Sequence, residues 1–208
     1  SGFETVKPTY QFVQGLLRSY DDLQIDSDHM MAISPDEGAT ERAVYLANVL
    51  NLDMGMFYKR RDYTKIVNGR NPIVAHEFLG SSVEGKDVII LDDMISSGDS
   101  ILDVARQLKQ RKAKRIFAAA TFGLFTNGLE KFDEAYEEGI LDAILTTNLI
   151  YQTPELLSRP YYINCDMSKY IALMIDTLNH DGSISSILSP NERIQYAVDE
   201  YRKGRREV

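Results

Sequence analysis

Short unbroken apolar runs along this 208-residue chain alternate with stretches whose apolar residues recur every three or four positions. The run His29-Met30-Met31-Ala32-Ile33-Ser34 reads as a buried strand that stops at the Pro35-Asp36 turn. Runs at 55–58, 88–91, 115–121, 143–146 and 161–164 predict further short strands. An apolar stretch at 73–79 is separated from 88–91 by the turn signal Glu84-Gly85-Lys86-Asp87. Helical spacing covers 10–20, 40–50, 101–110, 129–138, 168–178 and 191–205. In the 40–50 segment Ala43, Leu46, Ala47 and Leu50 fall on one face. Ser168 is the expected N-cap of the 168–178 helix. Residues 61–71 are polar, contain Gly69 and show no period, which predicts a mobile loop.

Strands that alternate with helices predict an α/β domain, a mostly parallel sheet flanked by helices on both faces. In such sheets ligand loops gather at the carboxyl ends of the strands. The polar stretches at 35–40, 61–71 and 92–100 each follow a predicted strand, so the fold brings all three to one edge despite their separation in sequence. No internal repeat or low-complexity segment interrupts the pattern, and one domain is expected over 1–208, with a helical extension at 190–208.

Composition narrows the chemistry. An apolar share of 44% and a charged share of 26% suit a globular chain, and 208 residues suffice for a sizeable core. The net charge of −8, with no basic stripe, argues against nucleic acid as a partner. Lys59-Arg60-Arg61 is a local basic spot in an acidic chain and suits a small polyanion. The single Cys165 cannot form an internal disulfide and suggests a reducing compartment, hence a cytoplasmic setting. No apolar run approaches the length a membrane span needs, so no membrane partner is expected.

The strongest chemical signal is Asp92-Asp93-Met94-Ile95-Ser96-Ser97-Gly98-Asp99-Ser100, set between the 88–91 run and the 101–110 helix. A Ser/Gly loop before a helix leaves backbone N–H groups free at the positive end of the helix dipole, which makes a phosphate cradle. Two carboxylates at a strand end can grip neighbouring hydroxyls directly or through a hard cation. A phosphate and a vicinal diol at this spacing describe a ribose 5-phosphate. Asp92 and Asp93 are expected to bind the ribose 2- and 3-hydroxyls, and Ser96, Ser97, Gly98 and Ser100 the phosphate. Asp99 is expected to serve the helix N-terminus and face away from the phosphate.

This segment resembles the phosphoribosyl-diphosphate (PRPP) motif of type I phosphoribosyltransferases. Ser34-Pro35-Asp36-Glu37-Gly38-Ala39-Thr40-Glu41-Arg42-Ala43 resembles the pyrophosphate loop of ribose-phosphate diphosphokinases, the PRPP synthetases. Lys59-Arg60-Arg61 is similar to the start of their catalytic flexible loop. Cys165-Asp166-Met167-Ser168 and Ser183-Ile184-Ser185-Ser186-Ile187-Leu188 resemble their closing segments. The resemblance runs from about Thr9 to Leu188. It implies a type I phosphoribosyltransferase-like fold and transfer of diphosphate from ATP to ribose 5-phosphate, giving PRPP and AMP. It also implies Asp36, Glu37, Gly38, Ala39 and Thr40 as a diphosphate loop, Asp36 as a contact for Mg²⁺, and Lys59 and Arg61 as catalytic cations. A homo-oligomer, a dimer or larger with a hexamer as the family's form, is implied too.

Three departures stand out. The family's phosphate loop usually reads Asp-Thr-x-Gly-Thr, where this chain has Ser96-Ser97-Gly98-Asp99-Ser100. Thr121-Phe122-Gly123 stands where a His before Gly is common. The synthetases have two tandem domains of similar fold, and the resemblance covers the second. The chain is therefore expected to be the C-terminal half, without the N-terminal domain that carries much of the ATP site, and by itself inactive. Two other readings stay open: a phosphoribosyltransferase that uses PRPP, and a non-catalytic regulatory protein associated with the synthetase. His29, His76 and His180 lack metal-ligand spacing, and Cys165 is expected to be an inert, half-buried residue.

Overall fold

The structure, a computed structural model, describes residues 5–61, 64 and 73–204. Helix α1 (Thr9–Ser19) leads into β1 (Met30–Ser34), a 3₁₀ turn (Glu37–Ala39) and α2 (Thr40–Leu50). Then come β2 (Asp53–Arg61), β3 (Ile73–Leu79), β4 (Asp87–Ile95), α3 (Asp99–Gln110), β5 (Arg115–Gly123) and α4 (Glu130–Glu137). Strand β6 (Ala143–Thr147), the short α5 (Pro154–Leu157), β7 (Tyr162–Cys165), α6 (Ser168–Asn179), α7 (Ser185–Leu188) and α8 (Asn191–Arg202) complete the chain.

The seven strands form one sheet in the order β3-β2-β1-β4-β5-β6-β7. Every pairing is parallel except β2 with β3. Side chains on a strand alternate between faces, and the core follows that period of two. Ile89, Leu91, Phe117 and Ala119 pack with α1, α2 and α8, while Val88, Ile90, Ile116 and Ala118 pack with α3 and α4. Both faces are covered, which is why the central strands read as continuous apolar runs. Each fully buried large side chain, such as Leu46 or Phe132, contributes about 1.5–3 kcal/mol.

Several local expectations need correction. Strand β2 is longer than 55–58: it runs through Lys59, Arg60 and Arg61, whose backbone pairs antiparallel with β3. The basic triplet thus lies on a strand before the 61–71 segment, most of which lies outside the described residues. Asp92 and Asp93 are within β4, ahead of its last residue Ile95. Ser168 does not cap α6 with its side chain; Met167 is the N-cap, and Asp166 Oδ1 accepts from Ser168 N at 2.8 Å. Cys165 is fully buried, and burial alone pushes its thiol up to about 12. The last helix, expected as an extension, joins the core: Ile194, Ala197 and Val198 are buried against α1 and α2. Tyr201 Oη ties it down by donating to Tyr20 O at 2.7 Å.

Candidate functional site

Strand order decides where a ligand can sit. From β1 the chain builds outward to β2 and β3 on one side, and from β4 it builds outward to β7 on the other. Neighbouring loops at the β1/β4 boundary therefore part in opposite directions and leave a crevice at the carboxyl ends. Strand β1 ends at Ser34, and its last pairing with β4 joins Ile33 to Ile90. Asp92 and Asp93 extend past that point, so they stand over the crevice. The loop after β1 supplies Asp36, Glu37, Gly38, Ala39 and Thr40 to the same place.

Asp36 shapes its loop. Its Oδ1 accepts from Gly38 N at 2.9 Å and Ala39 N at 3.2 Å and so caps the 3₁₀ turn. Thr40 Oγ1 donates to Glu37 O at 2.9 Å, and Ala39 is buried while Glu37 and Gly38 face solvent. A cavity of about 320 Å³ opens beside this turn, lined among others by Lys7, Phe12, Gly38, Arg42, Asp92 and Thr121. The 96–100 loop does not line it.

Asp92 is the electrostatic centre of the crevice. Burial raises its carboxyl, the Asp93 N–H donated to Asp92 Oδ1 at 2.8 Å opposes that, and the charges of Asp93 and Asp36 add to the rise. The outcome is a carboxyl pushed up to about 6. Arg42 Nη2 stands 4.0 Å from Asp93 Oδ2, a cation that the reading of the sequence quoted in its motif without giving it a role. Its signal was present only as a position on the first turns of α2.

The 96–100 loop is built from behind. Leu124 N and Phe125 N donate to Ile95 O, and Thr126 N donates to Ser96 O, so the carbonyls of Ile95 and Ser96 point into the 123–126 segment. The N–H groups of Ser97 and Gly98 have no protein acceptor among the described residues. Gly98 takes φ +83°, and a Cβ there would come within 2.1 Å of Phe132 Cζ. Only glycine meets both demands. Ser96, Asp99 and Ser100 are exposed and Ser97 is half-buried. Asp99, the first residue of α3, pairs with Lys131 on α4 and accepts from Ser97 Oγ at 3.0 Å. Those two partners hold its carboxyl below the usual carboxylate range.

The side chains of Lys59 and Arg61 lie outside the described residues, but their backbone has a place. Met56 of β2 pairs with Ser34, the last residue of β1. Lys59 is three residues further along β2, roughly 10 Å beyond that edge. Among the described residues no group of three or more His, Cys, Asp or Glu side chains could hold a metal ion by itself. No helix among them is long and apolar enough to cross a membrane.

Residues 5–158 match the model of the phosphoribosyl transferase domain, which is more than half the chain. The chain belongs to that family. Among curated relatives, the ribose-phosphate pyrophosphokinase of Shewanella oneidensis is 30% identical over 163 residues, covering 78% of this chain and 49% of the relative. That of Mycoplasma genitalium is 33% identical over 124 residues, covering 59% of this chain and 35% of the relative. This phosphoribosyl transferase domain chain thus spans about half or less of the length of these relatives. Among solved structures, phosphoribosylpyrophosphate synthetase from Mycobacterium smegmatis superposes with a TM-score of 0.64 at 22% identity. The superposition covers 84% of this chain and 51% of that one, and it shows the shared fold.

Proposed function

We propose that this chain is the sugar-phosphate-binding half of a ribose-phosphate diphosphokinase. The observation that carries the reading is one strand end. Strand β4 delivers two carboxylates over the switch-point crevice, and four residues after Asp92 begins a loop with free N–H groups at the start of α3. Asp92 and Asp93 would accept from the ribose hydroxyls while Ser96, Ser97, Gly98 and Ser100 receive the 5-phosphate. The ligand would run along the end of β4, with the anomeric carbon toward the 36–40 loop. Relatives named ribose-phosphate pyrophosphokinase support the synthetase reading over a generic transferase.

In the reaction that this reading assigns, the anomeric hydroxyl of ribose 5-phosphate attacks the β-phosphorus of ATP and releases its proton to water, the bond from that phosphorus to the oxygen bridging to the α-phosphate breaks, and AMP leaves with that oxygen. The protein's work in such a transfer is positioning and charge stabilisation. Lys59 and Arg61, on the part of β2 that runs past the end of β1, are assigned to the charge that develops on the transferred phosphates. The residues present fit Mg²⁺: Asp36, Asp92 and Asp93 are oxygen donors, and burial together with the charges of Asp93 and Asp36 raises Asp92. A cation held by one or two carboxylates and completed by water and substrate phosphates needs no protein cage of three ligands. When bound it would offset phosphate charge, with Asp36 and Asp92 as its contacts.

Because the match covers half or less of the named relatives' length, the ATP contacts are assigned in part to the remainder of such a protein, as are the homo-oligomeric assembly and full turnover. The test is AMP release from ATP, Mg²⁺ and ribose 5-phosphate, by this chain and by a full-length relative, followed by pyrophosphate release from PRPP with nucleobases. The expected result is binding of ribose 5-phosphate by the chain with at least a 10²-fold deficit in AMP release, on the order expected for a misplaced reactant. Comparable turnover would show a complete site in these 208 residues. Pyrophosphate release with a base would favour the transferase reading, and no turnover by either protein a regulatory one.

A further inference from the structure

The hydrogen bonds around Asp99 leave the phosphate loop partly occupied by the protein itself. Ser97 has one hydroxyl proton, and it is directed to Asp99 Oδ2 at 3.0 Å. The Asp99 N–H points back to Ser97 Oγ at 3.4 Å, which closes a small ring within the loop. The other carboxylate oxygen is held by Lys131 of α4. Asp99 is the first residue of α3, so its charge also sits in the field of the helix N-terminus. A phosphate bound at Ser97 and Gly98 would seek the same hydroxyl, the same cation and the same dipole.

We propose that Asp99 is a built-in competitor for the ligand phosphate, holding the Ser97 hydroxyl and Lys131 until a phosphate displaces it. This rests on the reading of the 96–100 loop as the phosphate site and adds a regulatory element to it. The arrangement lowers affinity for the sugar phosphate and makes the hydroxyl of Ser97 worth little while the carboxylate is present. Asp99 is exposed, so its side chain can be removed without leaving a void.

The experiment is a calorimetric titration of the 208-residue chain with ribose 5-phosphate, for the parent, Asp99→Ala, Ser97→Ala and the double variant. Asp99→Ala is expected to tighten binding by about fivefold, the scale of one exposed charge interaction. Ser97→Ala alone should change affinity by less than about twofold, and in the Asp99→Ala background it should weaken binding by about fivefold, the signature of coupled sites. Ribose without phosphate serves as the control and should gain nothing from Asp99→Ala. An equal effect of Ser97→Ala in both backgrounds would make Asp99 a bare repulsive charge and overturn the shared hydroxyl. Weaker binding by Asp99→Ala would make Asp99 a ligand contact and overturn the proposal while the loop reading stands. Failure of all four proteins to bind would strike the loop reading and the proposal together.

Discussion

The carboxyl of Asp92 is half out of water, one residue from Asp93 and within electrostatic reach of Asp36. In the unfolded chain it titrates near the ordinary aspartate value of 3.8, and in the fold it is pushed up to about 6. Below the lower value both states hold the proton and folding loses nothing. As pH rises through the upper value the folded carboxyl must ionise in a partly dry place, and stability is lost. A shift of this size corresponds to about 3 kcal/mol before screening, and solvent contact at a half-exposed group brings it to about 1 kcal/mol. Asp92→Asn should therefore be about 1 kcal/mol more stable than the parent at pH 7.5 and nearly equal to it at pH 4, by urea denaturation, while losing ribose 5-phosphate. An equal difference at both pH values would contradict the origin given for the shift. The double acid itself was visible in the sequence; its titration was not, because the burial that mainly raises it, and the approach of Asp36 from 56 positions earlier, come only with the fold.

At the scale of elements, the strand, loop and helix of the phosphate loop depend on α4. Phe132 is completely buried, stacks edge-on with Phe125 at 5.2 Å, and fills the space a side chain at position 98 would need. Gly98→Ala should cost about 3 kcal/mol, combining the left-handed conformation with a core clash. Thermal melts of Gly98→Ala and of Gly98→Ala with Phe132→Leu check this. Partial recovery in the double variant is expected, since leucine lacks the ring atoms that a Cβ at position 98 would meet, while the backbone strain remains. Equal stability of Gly98→Ala and the parent would contradict the packing. Local signals were enough to read the Ser/Gly loop before a helix. They could not show Phe132 or Lys131, more than 30 residues downstream, and the expectation for Asp99 carried no sign of its hydrogen bond with Ser97 or its ion pair on α4. The extension of β2 was hidden for another reason: a basic triplet on an antiparallel edge pair carries no apolar run. Likewise Arg115 forks onto Asp87 at 2.6 and 2.9 Å and reaches Asp22 at 2.7 Å, a tie between the starts of β4 and β5 that sequence spacing does not encode.

Across the whole molecule, alternating apolar rhythms foretold a parallel α/β sheet covered on both faces, and the seven-stranded order bears that out. The same rhythms placed the polar stretches after β1, β2 and β4, which turn out to be three adjacent strands. What periodicity could not supply was strand order, because it depends on crossovers and not on the strands themselves; the crevice between β1 and β4 became visible only with it. Everything proposed for function passes through that crevice and the loop beside it. The most direct test is a titration of the chain with ribose 5-phosphate in Mg²⁺, beside the variant carrying both Asp92→Asn and Asp93→Asn. Saturable one-to-one binding by the parent, weakened at least about tenfold in the variant by loss of two charge-assisted contacts, is the result predicted here. Absence of binding by a folded parent, or equal affinity in the two proteins, would contradict it.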